Sequence, residues 1–258
     1  MKFHLTNIEN DILTVTLNRP EIHNAFNDEL ILELTHTFLS VSKDIKAVVL
    51  KGEGKSFCAG ADLNWMKSMI NYSTEENIID AKKLAALFCA IDDCPAPVIG
   101  VVQGAALGGG SGLVSVCDYV LSDINTVYGF TESRLGLVPA VISPFVMAKI
   151  GTSHARSTFL SGRRFTANEA KEMGLVHQVC ESEKIDESLN EIVKEFSKAG
   201  PLAAREAKLL IKGVLARSSS REEQIDFTST TIARLRSSEE GQEGMGALLE
   251  KRKPKWVK

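Results

Sequence analysis

The sequence predicts an α/β protein, a core of stacked strand-strand-helix turns closed by a helical C-terminal region. Two observations point there. Through the first half of the 258 residues, short apolar runs of strand character alternate with longer segments of helical periodicity, which is how α/β cores read. From about residue 143 the strand pattern stops and helix-length segments follow one another, separated by Gly151, Gly162, Gly174 and Gly200-Pro201. The expected division is a core over residues 1–195 and a helical region over 196–258.

The elements follow in order. In Ile12–Leu17 the residues Leu13, Val15 and Leu17 fall at period two, a strand with one buried face. It is expected to pair with residues 3–8 across a turn at Glu9-Asn10-Asp11, and Arg19-Pro20 ends it. A helix starts near Asp28 and carries Leu30, Ile31, Leu34, Phe38 and Val41 at helical spacing. Ala47–Leu50 is continuously apolar, as a strand buried on both faces is. A helix over 74–92 puts Leu84, Leu87, Phe88 and Ile91 on one side. A second buried strand lies at 97–102, then a Gly-rich turn, the apolar segment Leu113–Val116 and a strand at Tyr119–Leu121. Helices are expected over 143–150, 153–160, 167–173, 187–198, 201–215 and 221–251, with Ser161–Arg164 as a turn. Ala203, Ala207, Leu210 and Val214 give the 201–215 helix an apolar face, for its own core or a neighbouring subunit.

Composition narrows the function. With 30 basic against 33 acidic residues and a net charge of −3, there is no general pull toward nucleic acid or an anionic membrane. Five cysteines without framework spacing argue against a disulfide scaffold. His177 near Cys180 is the one His/Cys pair, too little for a metal site. There is no signal-peptide run and no apolar stretch of membrane-span length, so a cytoplasmic protein is expected.

Several motif look-alikes fail. Gly52–Ser56 suggests a phosphate loop, but Val49 stands where its first glycine belongs. Gly108–Gly112 suggests a dinucleotide fingerprint or a hydrolase elbow, and both fail at Leu113. Two Gly-rich turns remain, Phe57–Asp62 and Gly104–Gly112, each following the C-terminal end of a strand, where ligand sites gather. Small residues let backbone N–H groups approach a ligand closely. Two such groups converging from separate turns make an oxyanion hole.

Leu17-Asn18-Arg19-Pro20 through Asn24-Ala25, then Phe57–Leu63, Gly104–Gly110 with Cys117-Asp118, Glu132, Leu135-Gly136 and the tail Glu243–Pro254 resemble the crotonase (enoyl-CoA hydratase/isomerase) superfamily nearly end to end. The resemblance implies a crotonase-like ββα-spiral core with a helical C-terminal trimerisation region. It also implies assembly as a homotrimer or a dimer of trimers, and an acyl-coenzyme A thioester as substrate with no separate cofactor. Its oxyanion-hole amides fall on Ala61 and Gly109. Its substrate-binding positions fall on His23, Ala25, Ala59, Asp62, Leu63 and Gly108, and Lys251 matches a basic residue that approaches the CoA phosphates, often from a neighbouring subunit.

Family hydratases use two carboxylates. The second is present here as Glu132, whereas the first position is occupied by Gly112. One carboxylate can shuttle a proton between C2 and C4 of an enoyl thioester, which favours a Δ3,Δ2-enoyl-CoA isomerase. Gly108–Leu113, Asp62–Met66 and Glu132–Pro144 are instead similar to bacterial methylglutaconyl-CoA hydratase-like members, assigned to leucine and acyclic isoprenoid breakdown. The dehalogenase branch needs an Asp where this chain has Ala140. Arg134, near Glu132, is a candidate partner for a substrate carboxylate. The leading expectation is an enoyl-CoA hydratase, with the isomerase second and a non-catalytic acyl-CoA-binding protein third.

Overall fold

The computed structural model describes residues 3–257. Positions 1, 2 and 258, at the outer ends of the two expected regions, lie outside it. The first strands form as the periodicity requires. β1 (His4–Glu9) and β2 (Ile12–Leu17) pair antiparallel, with Asn10 and Asp11 both at positive φ in the turn between them, the conformation a two-residue hairpin demands. α1 (Asp28–Leu39) begins one residue past Asn27, whose side chain accepts the Leu30 N–H. It buries Leu30, Ile31, Leu34 and Phe38. β3 (Ala47–Gly52) is buried through its first four residues.

α2 (Leu63–Met69) follows, and α3 (Thr74–Asp92) starts with a capping box between Ser73 and Glu76. β4 (Val98–Val102), β5 (Ala105–Leu107), α4 (Gly109–Ser115), β6 (Tyr119–Asp123) and β7 (Val127–Gly129) complete the first half. α5 (Ser143–Phe159) is kinked at Gly151, whose φ of 69° is not helical, so the glycine separates two helical arms as expected.

Ser161–Arg164 is only partly a turn. Arg164 opens β8 (Arg164–Thr166), which pairs antiparallel with β7. α6 (Ala167–Glu172), β9 (Gln178–Cys180), α7 (Ile185–Phe196) and α8 (Pro201–Ala216) come next. The expected single helix over 221–251 is two, α9 (Arg221–Arg236) and α10 (Glu239–Leu249). The chain breaks because Ser238 caps α10 by accepting the Gly241 N–H at 3.0 Å. α8 buries no residue completely, and Ala203 and Ala207 on its predicted apolar face are exposed in the single chain.

The larger sheet has the order β1-β2-β3-β4-β6-β9, parallel from β2 onward. A second sheet of order β5-β7-β8 lies beside it. Most buried apolar side chains join one cluster, into which α1, α3, α4 and α5 project. Among the described residues no helix is long and apolar enough to cross a membrane.

Candidate active site

The site grows from the C-terminal edge of the parallel strands. Beyond β3 the chain runs through Phe57–Asp62 and is clasped on two sides. On one side Cys58 donates to the Ala105 carbonyl and accepts from the Leu107 N–H, both at 3.0 Å. On the other, Ala59 donates to the His23 carbonyl at 3.0 Å, Phe26 donates to the Gly60 carbonyl at 2.7 Å, and Asp62 donates to the Phe26 carbonyl at 2.8 Å. The two Gly-rich turns are thus brought together, joined through Cys58 and β5.

Two glycines make this closeness necessary. Gly60 has φ of 102°, and a Cβ on Gly110 would stand 2.1 Å from the Cys58 carbonyl oxygen.

The direction of the Ala61 amide follows from peptide planarity. In a trans peptide the carbonyl of residue 60 and the N–H of residue 61 point oppositely. The Gly60 carbonyl is held by Phe26, so the Ala61 N–H turns away from Phe26, to the side on which Cys58 meets β5. Gly109 is the first residue of α4, where a helix leaves its N–H groups without internal partners. Among the described residues neither the Ala61 nor the Gly109 amide has an acceptor. The Phe26 ring packs against Gly109, 2.9 Å from where its Cβ would be, so Phe26 braces both segments.

Strand pairing also delivers Glu132. β5 and β7 run parallel with Leu107 opposite Gly129, and the Gly108 N–H donates to the Gly129 carbonyl at 2.8 Å. Both chains leave the same end of the small sheet, one into Gly108-Gly109 and the other into a 3-10 turn over Thr131–Leu135. Glu132 Oε1 consequently lies 3.3 Å from the position a Gly108 Cβ would take. A cluster of the Tyr128, Phe165, Phe130 and Phe159 rings supports this turn, and Ser133 Oγ donates to the Phe159 carbonyl.

The Glu132 carboxyl is half-buried, and its Oε2 is buried without a hydrogen-bond partner. Burial pushes its pKa above the ordinary glutamate range, against a smaller opposing effect of its own backbone N–H. An unpartnered buried carboxyl is costly to keep, which is why such groups concentrate where protons are moved.

Asp62 is the contrasting carboxyl. Burial alone would raise it, yet the Asn64 N–H and the Arg19 guanidinium hold it below its ordinary range. It caps α2 and forms a buried 2.8 Å ion pair with Arg19, whose other arm donates to the Ala25 carbonyl. The expected binding residue Asp62 therefore already holds the 19–26 loop against the turn. His23 is exposed, at φ of 55°, with Nδ1 3.1 Å from Ser56 Oγ. Ala25 is buried, and Leu63 is exposed at the start of α2.

Among the described residues no hydrogen bond or ion pair joins the Lys251 side chain to this group. The tail that follows it is anchored by Lys46 Nζ on the Trp256 carbonyl and by Trp256 Nε1 on the Lys198 carbonyl. Lys46 directly precedes β3, so this anchor sits at the N-terminal edge of the sheet, opposite the site. Arg134 is exposed and lays its stem over Gly162. His177 accepts the Val120 N–H through Nδ1 and stacks on Tyr119. Among the described residues no group of three or more His, Cys, Asp or Glu is gathered as a metal would need.

Sequence reasoning missed the residues that fill the space at Gly112. Gly108 just precedes α4, and its carbonyl accepts the Gly112 N–H at 3.0 Å, one turn along. Glu132 stands at the first. At the second, a Cβ would lie 2.4 Å from Ile142 Cγ2 and 3.0 Å from Phe88 Cζ. Both residues are buried, and Phe145 continues the wall with its ring 5.9 Å from that of Phe88. The glycine itself was the signal, since a missing side chain inside a packed core must be replaced by a neighbour's. Gly112→Ala is expected to destabilise by about 1–3 kcal/mol through overpacking. In combination with Ile142→Ala the two costs should fall short of their sum, because the new methyl enters the cavity. A denaturant double-mutant cycle reads this directly.

A family model described as enoyl-CoA hydratase/isomerase matches residues 7–258. The chain belongs to the enoyl-CoA hydratase/isomerase family. Within that family, a Thermus thermophilus protein provisionally named an enoyl-CoA hydratase is 32% identical over 95% of this chain and 97% of its own. The peroxisomal Δ(3,5)-Δ(2,4)-dienoyl-CoA isomerase of Arabidopsis thaliana is 28% identical over 98% of this chain and 95% of its own. The crystal structure of an enoyl-CoA hydratase from Shewanella pealeana superposes with a TM-score of 0.94 at 34% identity, covering 99% and 96% of the two chains. The fold is accordingly that of the crotonases, with the helical region at its C-terminus, and hydratases and isomerases both occur among such relatives.

Proposed function

We propose that the chain hydrates an enoyl-CoA thioester, adding water across the α,β double bond, with Glu132 as the single acid/base. The observation that carries this is the half-buried Glu132 carboxyl beside Gly108-Gly109, with its Oε2 unpartnered, together with two amides without acceptors. The Glu132 carboxylate takes a proton from water as the water oxygen bonds C3. The π electrons move through C2 onto the thioester oxygen, where the Ala61 and Gly109 N–H groups hold the enolate charge. The enolate then collapses, and C2 takes the proton back from Glu132.

In this reading His23, Ala25, Ala59, Asp62, Leu63 and Gly108 frame the thioester and its pantetheine and adenine parts. Lys251 reaches the CoA phosphates only from another copy, in a homotrimer or a dimer of trimers. The subgroup resemblance supports branched substrates such as 3-methylglutaconyl-CoA, and the names of the relatives support hydration.

One observation favours the second reading. The atoms nearest a Cβ at Gly112, from Ile142 and Phe88, are all carbon, which suits a Δ3,Δ2 shift in which Glu132 alone carries a proton from C2 to C4. The two are separated in ¹⁸O-labelled water. Hydration predicts 3-hydroxyacyl-CoA carrying the label from at least one member of a panel of linear and branched 2-enoyl-CoAs. The isomerase predicts conversion of a 3-enoyl-CoA to the 2-enoyl form with no label. A binding protein without catalysis predicts turnover no better than that of Glu132→Gln.

A further inference from the structure

A cavity of about 380 Å³ opens where the end of α3 and the C-terminal end of α4 meet α5 and α8. It lies behind the apolar wall. Phe145 is shared by wall and cavity, and α4 runs from Gly109 at the site to Ser115 at the cavity, roughly 9 Å along the helix. Its body is apolar, built by Val116, Phe145, Ile211 and Leu215, of which Ile211 and Leu215 are well exposed at the α8 side.

Charge is arranged unevenly around it. Lys208 is paired with Asp118 at 2.7 Å and Lys212 with Asp92 at 2.6 Å. Asp118 also accepts the Val98 N–H at 2.7 Å. Lys149 is the exception. Its Nζ donates to the Cys117 carbonyl, and among the described residues it forms no ion pair, Asp118 and Asp92 acting on it from beyond that distance. Burial pulls its pKa below the ordinary lysine value, against smaller opposing effects of Cys117, Asp118 and Asp92. Asp118 and Asp92 are each engaged by another lysine, which leaves the Lys149 ammonium with donors for an acceptor from outside the chain.

We propose that this cavity binds a carboxylate carrying a short aliphatic chain, the carboxylate on Lys149 and the chain along Val116, Phe145, Ile211 and Leu215. An ammonium and an apolar trough in a pocket of this size supply the two requirements of such a ligand, one oriented polar contact and apolar burial. The site is independent of the Glu132 chemistry, and its occupant need not be a thioester.

Calorimetric titration with sodium octanoate tests the assignment, with acetate as the probe without a tail and octan-1-ol as the probe without a charge. Saturable octanoate binding at least tenfold tighter than either is expected. Lys149→Met should bring octanoate down to the level of octanol. Leu215→Trp, at a position exposed in the single chain, should weaken octanoate at least fivefold by filling the trough. Thermal unfolding of both variants verifies that they are folded. Binding should persist when octanoyl-CoA is present at saturation. Octanoate binding that neither substitution weakens overturns the proposal, as does an absence of saturable binding. Displacement of octanoate by octanoyl-CoA also overturns it, because the ligand then shares the thioester site.

Discussion

Glu132→Gln is expected to lower turnover by about 10²–10⁴-fold, the usual range for removing a positioned acid/base. The upper part of that range is expected because one carboxyl takes the proton and returns it. KM should move little, since the substrate contacts assigned to the 19–26 and 57–63 segments are untouched. The same substitution has a distinctive stability signature. Burial raises the Glu132 pKa in the folded chain, so the folded state binds the proton more tightly than the unfolded one. Stability from this group is therefore present below the ordinary glutamate value of about 4.3 and is lost as pH rises through the folded value. Glutamine carries no such loss. The variant should melt above the parent at pH 8, and the gain should shrink toward pH 4. A parallel fall in turnover and melting temperature would mean that Glu132 supports the fold and does not act on substrate. The acid limb of the parent's rate profile should likewise lie above the range of an ordinary glutamate.

The second large effect is expected at Ala61. Its N–H takes no part in the pairing that fixes the turn, because Phe26 bonds the Gly60 carbonyl and the Asp62 amide. Ala61→Pro therefore deletes a donor without breaking an internal hydrogen bond. Turnover should drop by about 10²–10³-fold, the loss seen when one oxyanion donor is removed. Binding of free coenzyme A, which has no thioester carbonyl, should change by less than a few-fold. Equal losses in turnover and in coenzyme A affinity would show that the turn itself had moved. Steady-state kinetics with calorimetry on the same variant separates the two outcomes.

The parts of the fold legible in the sequence were those with enough residues to display a period. β2, β3 and β4 and the helices α1 and α3 are each five or more residues long. β5, β7, β8 and β9 are three residues long, too short for period two to stand out from chance. Yet β5 and β7 deliver Gly109 and Glu132 to one another. The two glycine turns were readable because their small residues mark where backbone must approach backbone. Their juxtaposition was not, since it depends on Cys58 pairing with β5 nearly fifty residues further along the chain. The wall at Gly112 stayed hidden for the same reason, with Phe88 on α3 and Ile142 just before α5 meeting only in the folded core. The break between α9 and α10 was the exception, signalled by Ser237-Ser238 and Gly241 within a segment otherwise read as continuous helix.

The account rests on one carbonyl held by two amides with one acid alongside. A crystal structure with the saturated, unreactive butyryl-CoA bound measures this directly. The thioester oxygen should lie about 3 Å from both the Ala61 and the Gly109 nitrogens, with the Glu132 carboxyl facing C2 and C3. A thioester oxygen bonded elsewhere and beyond hydrogen-bond distance from either nitrogen would contradict it.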